Sequence, residues 1–203
     1  MSEPVVVCFG DSLTEGVGTS DGHSYPDVLS RRLGAKVWNA GIGGNQLLRD
    51  GYGESGLRRY HRDVLDVPGV THVVVELGIN DIGLAAMDGH PVPGAELITT
   101  GLATLARAAR HAGVTAIGAT LSPNGGALFP GHHSPEGERV RQAVNAWIRS
   151  GAEFTAVVDI DVALRDPDRP TWYRPDLDSG DHLHPNDAGA EAIAHSIDLD
   201  VFG

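Results

Sequence analysis

The chain has 203 residues, 41% of them apolar, and a formal net charge of −12 at pH 7. This length favours one domain with a core of its own, so we expect a single domain over residues 1–203. The acidic balance argues against a nucleic-acid partner, which needs clustered lysine and arginine. The only cysteine, Cys8, excludes an intrachain disulfide and a cysteine-based zinc site.

The sequence has no apolar run of about 18 residues or more, so we expect no membrane span. The segment Met1-Ser2-Glu3-Pro4 is short and acidic, unlike a secretory leader. Cytoplasmic residence is therefore the default expectation, although a secreted mature form would carry the same sequence. No pattern in the chain indicates an oligomeric state.

Five β-rich runs alternate with helical segments along the chain. The predicted strands are mostly continuous apolar runs, as expected for strands covered on both faces, and span Val5–Phe9, Lys36–Ala40, Thr71–Leu77, Thr115–Ala119 and Ala156–Ile160. The predicted helices are Tyr25–Leu33, Leu57–Leu65, Ala95–Ala112, Glu136–Ser150 and Asp187–Ile197. This alternation predicts a three-layer α/β/α sandwich around a parallel five-stranded sheet, an architecture similar to that of flavodoxin.

Two irregular stretches interrupt the alternation. Residues 46–56 are polar and rich in glycine, and residues 122–135 contain Asn124-Gly125-Gly126 and His132-His133. Both follow predicted strand ends, so we expect both to border the same mouth of the sheet, where loops commonly determine specificity. Plain surface connection is the alternative interpretation of each.

The segment Gly10-Asp11-Ser12-Leu13 directly follows the first predicted strand. A serine at the carboxyl end of a buried parallel strand stands where open α/β sheets present their chemistry. We expect Gly10 to permit a sharp turn that leaves the Ser12 hydroxyl exposed near the start of a helix. Taken alone, such a serine is more often a helix cap than a nucleophile.

Two further segments offer N–H donors at strand ends. Asn39-Ala40-Gly41-Ile42-Gly43-Gly44-Asn45 follows the second strand, and its glycines allow a backbone N–H, most favourably that of Gly44, to point into a site. Gly78-Ile79-Asn80-Asp81 follows the third strand and supplies the side-chain amide of Asn80. Such donors stabilise a developing oxyanion. Simple turn or cap roles are the alternatives for both segments.

Near the C-terminus, Asp181-His182-Leu183-His184 brings a carboxylate and imidazoles together. The spacing lets Asp181 reach the imidazole of His184 and fix its tautomer, so that the other ring nitrogen can face Ser12. A metal site built from Asp181, His182, His184 and Asp187 is the competing interpretation.

In this order the four segments resemble the blocks of the SGNH hydrolases, also called the GDSL esterase and lipase family: Gly-Asp-Ser, Asn-x-Gly-x-x-Gly, Gly-x-Asn-Asp and Asp-x-x-His. The resemblance extends from Val5 to about Ile197. The segments 62–65, 78–83 and 141–148 are similar to those of small bacterial members, which include carbohydrate-acetyl esterases and short-chain acyl esterases.

The resemblance implies a role for each matching residue. Ser12 corresponds to the nucleophile, and Asp181 and His184 to the rest of a catalytic triad. Ser12 N–H, Gly44 N–H and the Asn80 side chain correspond to the oxyanion hole. The implied activity is hydrolysis of carboxylic esters, short-chain acyl or acetyl esters including those on carbohydrate, through an acyl-enzyme without metal or organic cofactor.

Residues that could contact the substrate are less well defined by the sequence. As candidates we take Asp11, Tyr25, Arg49, Tyr52, His132 and His182, with Asp50, Arg59, Phe129 and His133 as further candidates. Acyl length and the alcohol are not readable from these residues.

Three other functions remain open at this point. An acyltransferase would use the same triad with an alcohol in place of water, and a binding protein could keep the motifs without catalysis. A nucleotide or flavin binder would share the architecture, but residues 16–21 lack the Gly-x-Gly-x-x-Gly spacing and no glycine loop precedes a Walker-type lysine.

Overall fold

A parallel β-sheet forms the centre of the molecule. In the computed structural model, which describes residues 3–85, 87–151 and 153–203, the sheet has five strands in the order β2-β1-β3-β4-β5. The strands span Val6–Gly10 (β1), Val37–Gly41 (β2), His72–Glu76 (β3), Thr115–Ala119 (β4) and Ala156–Val158 (β5), and every neighbouring pair is parallel. This is the flavodoxin-like order, as predicted. Residues 1 and 2, part of the segment compared with a leader, lie outside the described residues.

Helices cover both faces of this sheet. They span Ser12–Glu15 (α1), Tyr25–Leu33 (α2), Gly56–Tyr60 (α3), Ile79–Gly83 (α4), Ala95–His111 (α5), Pro135–Arg149 (α6), Ile160–Leu164 (α7) and Asp187–Ser196 (α8), with a π-helical turn at His61–Leu65 and a 3₁₀ turn at Leu199–Phe202. The predicted bounds of α2 are confirmed, and those of α5, α6 and α8 differ by one residue at one or both ends. The predicted helix over 57–65 is α3 continued by the π turn.

The predictions miss α1, α4 and α7, because helices of four or five residues are too short to show a helical period in the sequence. The predicted strand Ala156–Ile160 is too long: β5 ends at Val158, and Asp159 caps α7 by accepting a hydrogen bond from the Val162 N–H at 3.2 Å. An apolar run cannot reveal this end point, since Ile160 is buried in the helix as it would be in a strand.

Two apolar layers lie on opposite faces of the sheet. Successive side chains of a strand alternate between faces: Val7 and Phe9 belong to one cluster with α5 and α6, and Val6 and Cys8 belong to the other with α2 and α8. Cys8 is fully buried, as its position in an apolar strand predicts. None of the helices in the described ranges is both long and apolar enough to cross a membrane.

The strand register decides where the site forms. Gly10 at the end of β1 is level with Gly41 at the end of β2 and with Glu76 at the end of β3. The segments that follow these strands therefore emerge side by side at one edge of the sheet, which is where open α/β sheets place their ligands.

Candidate active site

Ser12 is held at the carboxyl end of β1 by the start of α1. Asp11 caps this helix, its Oδ1 accepting a hydrogen bond from the Leu13 N–H at 3.2 Å. As the first helical residue, Ser12 has an N–H without an acceptor inside the helix. Gly10 does not supply the sharp turn we expected. It is an extended strand residue, and a Cβ there would lie 2.0 Å from Thr14 Oγ1, so glycine is required for close approach of helix and strand.

The turn at residues 181–184 brings an imidazole to this serine. His184 Nε2 is 2.9 Å from Ser12 Oγ, and His184 Nδ1 is 2.6 Å from Asp181 Oδ2. The other carboxylate oxygen, Asp181 Oδ1, accepts the backbone N–H groups of Leu183 and His184, each at 2.9 Å. Because Asp181 accepts, the Nδ1 of His184 carries the proton and its Nε2 is left to accept from the serine hydroxyl.

The same contacts keep Asp181 ionised. Partial burial works to raise its pKa, but the hydrogen bond with the His184 ring and those from the His184 and Leu183 N–H groups outweigh burial, so the pKa lies below its ordinary value. A carboxylate that stays charged can hold the imidazole and stabilise an imidazolium.

The predicted N–H donors surround a cavity in front of Ser12. The cavity has a volume of about 250 Å³ and is lined by Ser12, Val17, Gly43, Gly44, Tyr52, Asn80, Leu84, Phe129, His132, Leu183 and His184. Gly44 adopts φ 73° and lies against the Tyr52 ring, where a Cβ would come within 2.8 Å of the ring. Asn80, at the start of α4, is 4% exposed, and its Nδ2 donates to the Asn45 carbonyl at 3.2 Å.

The sequence matches the model of the GDSL-like Lipase/Acylhydrolase family over residues 8–192. The chain belongs to this family. The matched range includes all the residues whose roles the resemblance implies, which are Ser12, Gly44, Asn80, Asp181 and His184. This is the family whose motif blocks the sequence resembles.

Solved structures of GDSL and SGNH proteins share the fold. They include a GDSL-like lipase from Bacteroides thetaiotaomicron (TM-score 0.73, 18% identity, covering 96% of this chain and 88% of that one). A carbohydrate acetylesterase family member from Sinorhizobium meliloti has a TM-score of 0.74 at 17% identity, with 98% and 97% covered. A psychrotrophic esterase from Pseudoalteromonas, inhibited by monoethylphosphonate, has a TM-score of 0.63 at 19% identity, with 95% and 93% covered. Among curated proteins, none matches this sequence.

Of the predicted substrate contacts in this GDSL-family chain, Tyr52 and His132 line the cavity. Tyr52 is 57% exposed, whereas His132 is 2% exposed and its Nε2 lies 3.1 Å from Asn80 Oδ1. Phe129 also lines the cavity, and its ring packs edge-on against those of His132 and His184. The loops at 46–56 and 122–135 thus both border the cavity, as we expected.

Tyr25 and Asp11 lie away from the cavity, and the expectation that they contact substrate needs correction. Tyr25 is fully buried under α1, with its hydroxyl 3.0 Å from Thr14 Oγ1. Asp11 is buried beneath Ser12 next to Glu76, and burial, the largest influence, raises the pKa of Asp11 to about 7. Glu76 is buried as well, and its burial, followed by the charge of Asp11, raises the pKa of Glu76 well above its ordinary value. All three side chains contact α1, the helix that carries Ser12.

The other predicted contacts also lie outside the cavity lining. His182 turns away to pair with Asp178, its Nδ1 2.5 Å from Asp178 Oδ2. Arg59 is buried, and its guanidinium bonds the Gly10 carbonyl at 2.8 Å and Asn45 Oδ1 at 3.0 Å, which ties the first two motif segments together. Three further candidates, Arg49, Asp50 and His133, do not line the cavity.

The geometry does not support the competing metal site. His182 is engaged by Asp178, and the Asp187 carboxylate accepts the Ser20 N–H at 2.7 Å and the Ser20 hydroxyl at 2.8 Å. Across the three described ranges, no group of three or more His, Cys, Asp or Glu side chains is arranged to hold a metal ion.

Sequence reasoning missed the apolar part of the lining and one hydrogen-bond link. Val17, Leu84 and Leu183 follow the motif residues closely, so proximity to a motif was the available signal. Asp81, read only as part of a motif, accepts the Leu47 and Leu48 N–H groups at 2.7 and 2.9 Å and so fastens the 46–56 loop to α4. Its pKa is raised to about 6, chiefly by burial.

Proposed function

We propose that this protein is a serine esterase that hydrolyses small carboxylic esters, with short-chain acyl and acetyl esters as its substrates, through an acyl-enzyme. The observation that carries the proposal is the continuous hydrogen-bond chain from Asp181 through His184 to Ser12, at the wall of a cavity large enough for a small ester. Membership of the GDSL-like lipase and acylhydrolase family supports a hydrolase.

In the first half of the proposed reaction, Ser12 Oγ attacks the ester carbonyl while His184 Nε2 accepts the hydroxyl proton. Asp181 stabilises the resulting imidazolium, which the ionised state of its carboxylate favours. The carbonyl oxygen becomes an oxyanion, and the N–H groups of Ser12 and Gly44 with the amide of Asn80 are the donors we assign to it. His184 then gives its proton to the departing alcohol.

In the second half, water takes the place of the alcohol. His184 removes a proton from the water as it attacks the acyl carbon, the same donors receive the second oxyanion, and the proton returns to Ser12 Oγ as the acid leaves. This chain's own side chains account for each proton, so the proposal includes no cofactor.

The lining of the cavity supports the choice of substrate class. Its volume of about 250 Å³ lies just below the range of about 300–1,000 Å³ usual for small-molecule sites, which favours a short acyl group. Apart from the proposed catalytic groups and His132, its side chains are Val17, Leu84, Leu183 and the aromatic Tyr52 and Phe129. These favour a simple alkyl or aryl ester. The carbohydrate acetylesterase among the structural neighbours makes acetylated sugars the second class to test.

A panel from p-nitrophenyl acetate to long-chain p-nitrophenyl esters, together with acetylated sugars, tests the proposal. We expect the highest kcat/KM on the short aryl esters and a loss on the order of 10⁶ in kcat for Ser12→Ala. A fluorophosphonate probe should label the wild type and not Ser12→Ala. Full turnover by Ser12→Ala would contradict the serine mechanism, and acyl transfer to an added alcohol or sugar outpacing hydrolysis would make the protein an acyltransferase.

A further inference from the structure

The amide of Asn80 is held from two sides. Its Nδ2 is 3.2 Å from the Asn45 carbonyl oxygen, and its Oδ1 is 3.1 Å from His132 Nε2. Asn80 is 4% exposed and His132 2% exposed, so water does not substitute freely for either partner. The two contacts join the loop after β2, the start of α4 and the 122–135 loop at one amide group.

These contacts define both the orientation of the amide and the tautomer of the ring. A carbonyl oxygen only accepts, so the Nδ2 of Asn80 must face Asn45, and Oδ1 must face His132. Since Oδ1 also only accepts, the proton of the imidazole is on Nε2. His132 Nδ1 is then an acceptor, and it is buried without a hydrogen-bond partner among the described residues.

The ring itself has little freedom to move. It lies flat against Gly83 at the end of α4, where a Cβ would come within 2.1 Å of the imidazole Cδ2. The Asn124 side chain donates to the His132 carbonyl at 2.6 Å, and Phe129 packs against the ring edge-on. Burial, reinforced by the nearby His184, lowers the pKa of His132 to about 4. The ring therefore stays neutral near pH 7 and places no second positive charge beside the imidazolium that His184 becomes.

We propose that His132 is a positioning residue, whose Nε2–H holds the Asn80 amide so that its remaining N–H faces the cavity beside Ser12. The inference rests on the oxyanion role proposed for Asn80. A hydrogen bond into Oδ1 also polarises the amide and strengthens its N–H as a donor. His132 thus acts through Asn80 and need not touch the substrate.

A double-mutant cycle tests this directly. We compare wild type, His132→Phe, Asn80→Ala and the double variant, with p-nitrophenyl acetate as substrate. His132→Phe should lower kcat on the order of 10-fold with KM nearly unchanged. This loss is smaller than the roughly 10²–10³-fold loss in kcat expected when an oxyanion donor is removed entirely. In the Asn80→Ala background the same substitution should change kcat less than about 2-fold, because its target is gone. Equal losses in both backgrounds, or a loss confined to KM, would overturn the inference.

Two further measurements separate positioning from simple packing. His132→Gln, which keeps an N–H donor, should recover most of the kcat lost in His132→Phe, and an equal loss in both variants would count against the hydrogen bond. Imidazole ¹⁵N shifts of the wild type test the geometry without any variant, since they should report the Nε2–H tautomer at pH 7. A proton on Nδ1 would refute the proposed contact.

Failure of this inference can be told apart from failure of the esterase proposal. If Ser12→Ala is inactive and Asn80→Ala loses kcat while the cycle is additive, only the role of His132 is wrong. If Ser12→Ala retains turnover, the serine mechanism itself is wrong.

Discussion

The turn over residues 178–184 contains two aspartate–histidine pairs with opposite surroundings. Asp181 pairs with His184 at 2.6 Å, and Asp178 pairs with His182 at 2.5 Å. The His184 side chain is 7% exposed and its free nitrogen meets Ser12, whereas the His182 side chain is 34% exposed and its ring packs edge-on against Trp172. A carboxylate beside an imidazole is therefore not sufficient for a general base. The two pairs differ in that the second ring nitrogen of His184 faces the Ser12 hydroxyl beside a cavity.

The two aspartates also differ in what their second oxygen does. Asp181 Oδ1 accepts the N–H groups of Leu183 and His184, which orients the carboxylate towards the imidazole. Asp178 Oδ1 accepts the N–H groups of Gly180 at 2.8 Å and His182 at 3.1 Å, and these bonds shape the turn that precedes the first pair. The Asp181–His184 pair thus serves the proposed chemistry, whereas the Asp178–His182 pair stabilises the backbone of the turn.

The largest expected difference between the pairs is in the histidines. We expect His184→Ala to lower kcat on p-nitrophenyl acetate on the order of 10⁶, since the serine loses its base. His182→Ala is the matched control in the same turn and should keep kcat within a few-fold, because its ring does not face Ser12. Thermal unfolding of both variants checks that the fold is retained. A comparable loss in the two variants would mean that His182 and His184 do not differ in function.

The aspartates should differ by less. Asp181→Asn should lower kcat on the order of 10⁴, as expected when the amide no longer fixes the tautomer of the catalytic imidazole. Asp178→Asn leaves the His184 contacts intact, so we expect kcat to fall less than about 10-fold. The free energy of unfolding should fall by about 1 kcal/mol, because the hydrogen bond between residue 178 and His182 is weakened. Steady-state kinetics and urea unfolding separate these effects. A larger kcat loss in Asp178→Asn than in Asp181→Asn would reverse the assignment.

The carboxyl group of Asp11 contrasts with that of Asp181. Burial raises the pKa of Asp11, whereas hydrogen bonds lower the pKa of Asp181. The pKa of Asp11 is raised to about 7, so between its unfolded pKa of about 4 and pH 7 the folded chain holds a proton that the unfolded chain has released. The free energy of unfolding should therefore fall as pH rises through this window and level off above it.

Asp11→Asn tests this, since asparagine also caps a helix. In the wild type, the free energy of unfolding measured with urea should fall on the order of 2 kcal/mol between pH 5 and pH 8 because of Asp11. This contribution should be absent from Asp11→Asn. Glu76→Gln should also make the free energy of unfolding depend less steeply on pH, because the pKa of Glu76 is raised as well. Parallel pH profiles for the wild type and Asp11→Asn would show that Asp11 does not titrate in this window.

The sequence predicted those features that depend on local pattern. Continuous apolar runs predicted the strands, and apolar residues at spacings of three and four predicted the long helix α5. The motif segments led to Ser12, Asp181 and His184, and their order along parallel strands implied convergence at one edge of the sheet. These are regularities that a chain carries in its own spacing.

What could not be predicted depends on contacts between distant residues. The link between His132 and Asn80 joins residues 52 positions apart, and neither segment contains a signal of it. Tyr25 is a candidate substrate contact from the sequence, but its hydroxyl bonds Thr14 inside the core, a contact between elements that the sequence does not reveal. The direction of His182 likewise follows from its backbone conformation and not from the spacing of the turn.

That backbone conformation gives the smallest expected effect. His182 has φ 61°, the one non-glycine residue with positive φ in the described part of the chain, and the left-handed region disfavours branched side chains. His182→Val should therefore lower the free energy of unfolding by about 1–2 kcal/mol, whereas His182→Gly should stay within about 1 kcal/mol of the wild type, since relief of the backbone offsets loss of the Asp178 contact. Urea unfolding compares the two. If Val is tolerated as well as Gly, the conformation of residue 182 contributes little, and the bonds to Asp178 Oδ1 alone hold the turn that presents His184 to Ser12.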